Sequence, residues 1–80
     1  MAWVYILKGS AGRHYIGSTI DFNIRFAQHL RGHTATTKRL GGRLEIAAKK
    51  EVATIGEARK IERFLKGKKY PKVAIYYLQQ

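Results

Sequence analysis

Apolar and polar positions follow a period of two at the start of the chain and a helical period further on. In residues 2–8 (AWVYILK) the alternation puts Trp3, Tyr5 and Leu7 on one face of an extended strand. Residues 13–19 (RHYIGST) also favour strand, with Tyr15, Gly17 and Thr19 on one face. Between them Gly9-Ser10-Ala11-Gly12 has turn composition, so the segment predicts a β-hairpin. One register of that hairpin brings Tyr5 and Tyr15 to the same face, and a slip of one residue would separate them.

The period then changes. Residues 22–31 (FNIRFAQHLR) predict a helix with Asp21 as N-cap and Gly32 just past its end. Phe22, Phe26 and Leu30 form its apolar stripe, and Arg25 and His29, four apart, lie along one edge of it. Residues 33–43 are polar and contain glycine, which predicts a loop with a short helical turn near 36–40. Residues 44–52 (LEIAAKKEV) predict a third strand with Leu44 and Ile46 pointing inward, a helix being the alternative. Thr54 and Glu57 have the spacing of a capping box, so a helix should run to about Lys66, end at Gly67 and bury Ala58, Ile61 and Leu65. The tail from Lys68 to Gln80 turns from basic to apolar and is expected to form a last strand rather than a short helix.

Charge changes the picture most. The 80 residues hold 16 Lys+Arg against 5 Asp+Glu, a formal net charge of +11. Such an excess repels itself in a compact state, which points to a polyanionic partner. Nucleic acid leads over anionic lipid, because no segment reaches the roughly 18 apolar residues of a membrane span. The length suits one domain over residues 1–80, with a thin core that buries about 60% of the unfolded surface. The chain has no cysteine, which excludes disulfides, thiolate zinc sites and cysteine nucleophiles. The apolar start is short and stopped by Lys8, so a cytoplasmic location is expected.

Glu62 is the acidic residue that stands out. It falls beside Ala58 and Leu65 at the margin of an apolar stripe, amid Arg59, Lys60, Arg63, Lys66, Lys68, Lys69 and Lys72. An i, i+4 ion pair with Lys66 is the ordinary explanation for such a carboxylate; holding a cation for chemistry is the other. Arg25 carries a fork suited to phosphate, and His29 can move a proton near neutral pH, although two solvated helix residues would read the same way. His29 and His33 have the spacing of a zinc pair, but Gly32 interrupts the helix between them and no third ligand is evident. Tyr5 and Tyr15 suit packing in a sheet. Gly17 inside a strand marks a bulge or a close approach.

Taken in order, Tyr5, then Tyr15-Ile16-Gly17, then Arg25-x-x-x-His29, then Glu57-Ala58-x-x-x-Glu62-x-x-x-Lys66 resemble the GIY-YIG endonuclease family, in particular its small stand-alone bacterial members, which are similar to the nuclease subunit of structure-specific endonucleases. The likeness runs from Trp3 to about Lys66. Three features depart from the family pattern: the first motif reads Trp3-Val4-Tyr5, without its Gly and Ile, no Asn follows Asn23, and the short, basic C-terminal stretch matches the family poorly.

The resemblance implies an α/β fold with a small central antiparallel three-stranded sheet flanked by helices. It implies a metal-dependent endonuclease acting on DNA through one magnesium or manganese ion. Tyr5 would activate the attacking water, and Tyr15 would hydrogen-bond near the scissile phosphate. Gly17 would let the backbone pack tightly. Arg25 would bind the phosphate, His29 would orient Tyr5 or accept its proton, and Glu62 would hold the metal. Binding is expected to rest on phosphate contacts from Arg31, Lys38, Arg39 and Arg43, with no base-reading helix, so that branched or single-stranded DNA would be selected by shape. A non-catalytic basic nucleic-acid-binding module, and a nuclease subunit that needs a protein partner for activity or targeting, are the alternatives.

Overall fold

The computed structural model describes residues 1–10, 12–31, 44–68 and 70–79. Their elements run β1 (Ala2–Gly9), β2 (His14–Thr19), α1 (Phe22–Leu30), β3 (Leu44–Val52), α2 (Ile55–Lys66) and α3 (Pro71–Leu78). The strands form one antiparallel sheet in the order β2-β1-β3, so the α/β architecture expected from the sequence holds.

The hairpin forms because its turn can close. Gly9 N–H donates to Arg13 O at 2.9 Å and Gly12 N–H to Gly9 O at 3.0 Å. Gly12 takes φ +83°, a left-handed conformation that a residue without Cβ adopts without strain. The resulting register pairs Leu7 with Tyr15 and Tyr5 with Gly17. Residues directly opposite in an antiparallel pair share a face, so Tyr5 and Tyr15 lie on the same side of the sheet.

As the middle strand, β1 is covered on both faces, which explains why residues 2–7 are apolar without interruption. Ala2, Val4 and Ile6 pack with Ala48, Ala58, Leu65, Ala74 and Leu78 beneath α2 and α3. Tyr5 and Leu7 pack on the other side with Phe22 of α1, flanked by Trp3, Tyr15, Phe26 and Leu44. Both longer helices start at the expected caps: Asp21 accepts from Ile24 N–H and Thr54 from Glu57 N–H, each at 3.1 Å.

The inward side of β3 differs from the expectation. Ile6 pairs with Ala48 but Leu7 pairs with Ile46, so Ala47 is an extra residue in a bulge. The bulge reverses the alternation. Leu44 packs on the α1 side, Ala48 on the α2 side, and Ile46 stays 40% exposed.

The stripe of α1 is corrected too. At 3.6 residues per turn His29 lies only about 20° around the helix from Phe22, and Leu30 about 80°. Phe22 and His29 are therefore the buried pair, and Leu30 is 56% exposed.

The tail is a helix rather than the expected strand. Pro71 stands at its first turn, where the missing N–H costs nothing, and Ala74 and Leu78, four apart, turn into the core. Phe64 of α2 meets Tyr77 of α3 with ring centroids 5.3 Å apart. The expected loop over 33–43 lies outside the described residues.

Candidate active site

Gly17 explains how the site is assembled. A Cβ at this position would stand 2.6 Å from the Tyr5 hydroxyl oxygen, 2.7 Å from Tyr5 Cζ and 2.9 Å from Tyr15 Cε1. The missing side chain lets the Tyr5 ring lie across β2 and carry its hydroxyl over this edge strand. Here α1 supplies the facing groups. Tyr5 Oη lies 3.1 Å from His29 Nε2, a fully buried contact. The Tyr5 and His29 rings meet edge-on at 6.0 Å between centroids, and Tyr15 and His29 at 5.3 Å. Arg25, one turn before His29, holds its guanidinium close enough to act electrostatically on both phenols, and donates at 3.1 Å to Gln28 Oε1.

Burial shapes the protonation of this group. It pushes the Tyr5 phenol up to about 12, outweighing the downward pull of the Arg25 hydrogen bond, with smaller upward contributions from Tyr15 and Glu62. Burial, then the charge of Arg25, lowers His29 below its ordinary value. The hydrogen bond to Tyr5, with burial of the guanidinium opposing it, raises Arg25. At neutral pH the protein therefore holds a protonated phenol beside a neutral imidazole.

Glu62 reaches the same edge from α2. Ser18, the neighbour of Gly17, donates from Oγ to Glu62 Oε1. Lys66 Nζ lies 2.7 Å from Glu62 Oε2 and 6.0 Å from the centre of the Tyr15 ring. The ordinary i, i+4 ion pair therefore exists, but its carboxylate is also only 21% exposed and held by a second element. Tyr5, Tyr15, Arg25, His29 and Glu62, which span most of the sequence, thus meet around β2, with Gly17 making room between them.

The donor set limits which metal would fit. No group of three or more His, Cys, Asp or Glu side chains comes together among the described residues, so an all-protein cage is not what this site offers. A lone hard carboxylate suits a magnesium-like ion, which keeps several waters and completes its shell with substrate phosphate. The Lys66 ammonium at Glu62 Oε2 marks where a cation is already accommodated. The His29–His33 zinc spacing has no support, because His29 Nε2 is taken up by Tyr5 and His33 lies outside the described residues.

Of the expected phosphate contacts, Arg31 is exposed just beyond α1, while Lys38, Arg39 and Arg43 lie outside the described residues. An open groove of about 340 Å³ is instead lined by Ser18, Arg59, Glu62, Arg63 and Lys66. Sequence reasoning noted the three cations around Glu62 without assigning them to binding. Their spacing from Glu62 on a capped helix was the available signal. Ser18 carried none beyond its place next to Gly17.

A family model described as the GIY-YIG catalytic domain matches residues 1–74. Comparison with curated proteins and with solved structures returns no match. The match takes in every element from β1 into α3, and Tyr5, Tyr15, Gly17, Arg25, His29 and Glu62, among the residues that carried the resemblance, gather at the β2 edge. The chain therefore belongs to the GIY-YIG family, whose domain is the catalytic domain of a nuclease, a phosphodiester hydrolase.

Proposed function

We propose that residues 1–80 form one catalytic unit, an endonuclease that cleaves DNA by single-ion, in-line hydrolysis and selects its substrate by shape rather than sequence. The contact that carries this reading is Tyr5 Oη at 3.1 Å from a neutral, buried His29, beside Arg25 and Glu62. Nucleases of this family generally depend on a divalent metal. Magnesium or manganese on Glu62 would supply charge neutralisation at the phosphate and the leaving oxygen.

The chain's own groups supply the rest. Arg25 neutralises a phosphate oxygen, and Tyr15 hydrogen-bonds beside it. With its phenol pushed up to about 12, Tyr5 does not act as a preformed phenolate. It passes protons on instead. As the attacking water loses a proton to Tyr5 Oη, the phenol proton moves to His29 Nε2, and the resulting hydroxide forms the new bond to phosphorus. The P–O bond to the leaving oxygen then breaks, and that oxygen takes a proton from solvent. The lowered His29 stays uncharged at neutral pH and so can take up that proton.

Tyr5→Phe and Glu62→Gln should each reduce magnesium-dependent cleavage of a branched or single-stranded DNA to background, with thermal unfolding close to wild type for Glu62→Gln. Full cleavage by Glu62→Gln would remove the metal role, and full cleavage by Tyr5→Phe would remove the relay. The Lys66–Glu62 ion pair favours a second reading, a basic module that binds DNA without cutting it. Wild-type protein that binds branched DNA but shows no cleavage with either metal would select that reading, and activity regained on adding a protein partner would select a partner-dependent subunit. No helix among the described residues is long and apolar enough to cross a membrane. We place the activity in the cytoplasm.

A further inference from the structure

The groove beside Glu62 has a composition that the proposed hydrolysis does not use. Arg59, Arg63 and Lys66 stand four and three residues apart on α2 and line it together with Ser18 and Glu62. At 3.6 residues per turn all three project from the solvent side of Glu62, away from the buried Ala58 and Leu65. Lys66 is engaged by Glu62. Arg59 and Arg63 make no ion pair or side-chain hydrogen bond among the described residues, so their guanidinium donors face the groove uncommitted. Two guanidinium forks one turn apart at the mouth of a carboxylate site match an extended polyanion better than a single small anion.

We infer that Arg59 and Arg63 form the track that grips the DNA backbone phosphates next to the scissile bond and lays the strand against Glu62. The inference rests on the proposed nuclease reading and deepens it. The ligand is the phosphodiester backbone, gripped without regard to sequence. Lys66 then has two states: paired with Glu62 while the groove is free, and turned towards a phosphate once the strand and a cation are in place.

Binding of a labelled branched DNA in EDTA, measured over a salt series, tests the track without any cleavage. The Arg59→Gln/Arg63→Gln double variant should lower the magnitude of the slope of log K against log salt by about 1.4 to 1.8, the loss of two phosphate contacts. A charge-matched Lys8→Gln/Arg13→Gln variant, altered at exposed positions beside the hairpin turn, should change it much less. Arg59→Lys/Arg63→Lys should recover the slope, and in magnesium the glutamine variant's loss should fall on KM more than on kcat. Equal losses in groove and hairpin variants would overturn the inference, as would a loss that the lysine variant fails to recover. Because the assay contains no metal, its failure is separate from that of the hydrolytic reading, which the Tyr5 and Glu62 variants test.

Discussion

At the scale of single residues, the site depends on one missing side chain. Gly17 has ordinary backbone angles for a strand, so its value lies in space rather than in conformational freedom. Alanine there would drive a methyl into the end of the buried Tyr5 ring. Overpacking of this kind typically costs about 1–3 kcal/mol, and relief requires Tyr5 Oη to move away from His29. Gly17→Ala should therefore lower the melting temperature and reduce cleavage at saturating DNA, while the magnesium concentration for half-maximal rate stays near wild type. An unchanged kcat would show that the close passage over β2 has no bearing on the reaction.

At the scale of elements, α3 shows how a sequence with strand-like composition becomes helical. Ile75, Tyr76 and Tyr77 favour strands, yet Pro71 presets the first turn and the core contacts fall four residues apart at Ala74 and Leu78. A strand would bury alternate residues instead. Leu78→Ala should destabilise the fold by up to about 2–5 kcal/mol, the range for buried leucines, with the lower end expected near a chain end. Tyr76→Ser, at a position 67% exposed, should be nearly neutral. Denaturant midpoints of the two variants check this, and equal midpoints would contradict the helical packing of the tail. The bulge at Ala47 acts at the same scale, because it lets β3 serve the α1 side with Leu44 and the α2 side with Ala48.

At the scale of the whole molecule, the site is linked to stability through pH. His29 has a lowered value in the folded chain, so it contributes stability fully above the ordinary 6.5 and loses it as pH falls through the folded value. Tyr5 is raised from 10.0 to about 12, so its contribution is complete below pH 10 and is lost as pH rises towards 12. The excess of cations works in the opposite sense at high pH, since deprotonating lysines relieves the repulsion of a +11 chain. Comparing wild type with Tyr5→Phe cancels that background. The stability difference between them should shrink between pH 10 and 12, and a constant difference would show that the phenol is not raised by burial.

Much of this was legible in the sequence because it is local. The hairpin turn, the caps at Asp21 and Thr54 and the stripe of α2 follow from neighbours within a few residues, whereas phosphodiester chemistry was expected only through the family resemblance that the ordered Tyr, Tyr, Arg, His and Glu carry. Decisions that involve a second element were not legible. The bulge in β3 depends on what each face of β1 needs to bury, the helical tail on the apolar surface of the sheet and α2 that Ala74, Tyr77 and Leu78 cover, and the depth of Tyr5 on α1 closing over it. The raised Tyr5 phenol has the same origin. Desolvation belongs to the packed environment rather than to the residue, and only the tertiary structure sets how much water each group loses.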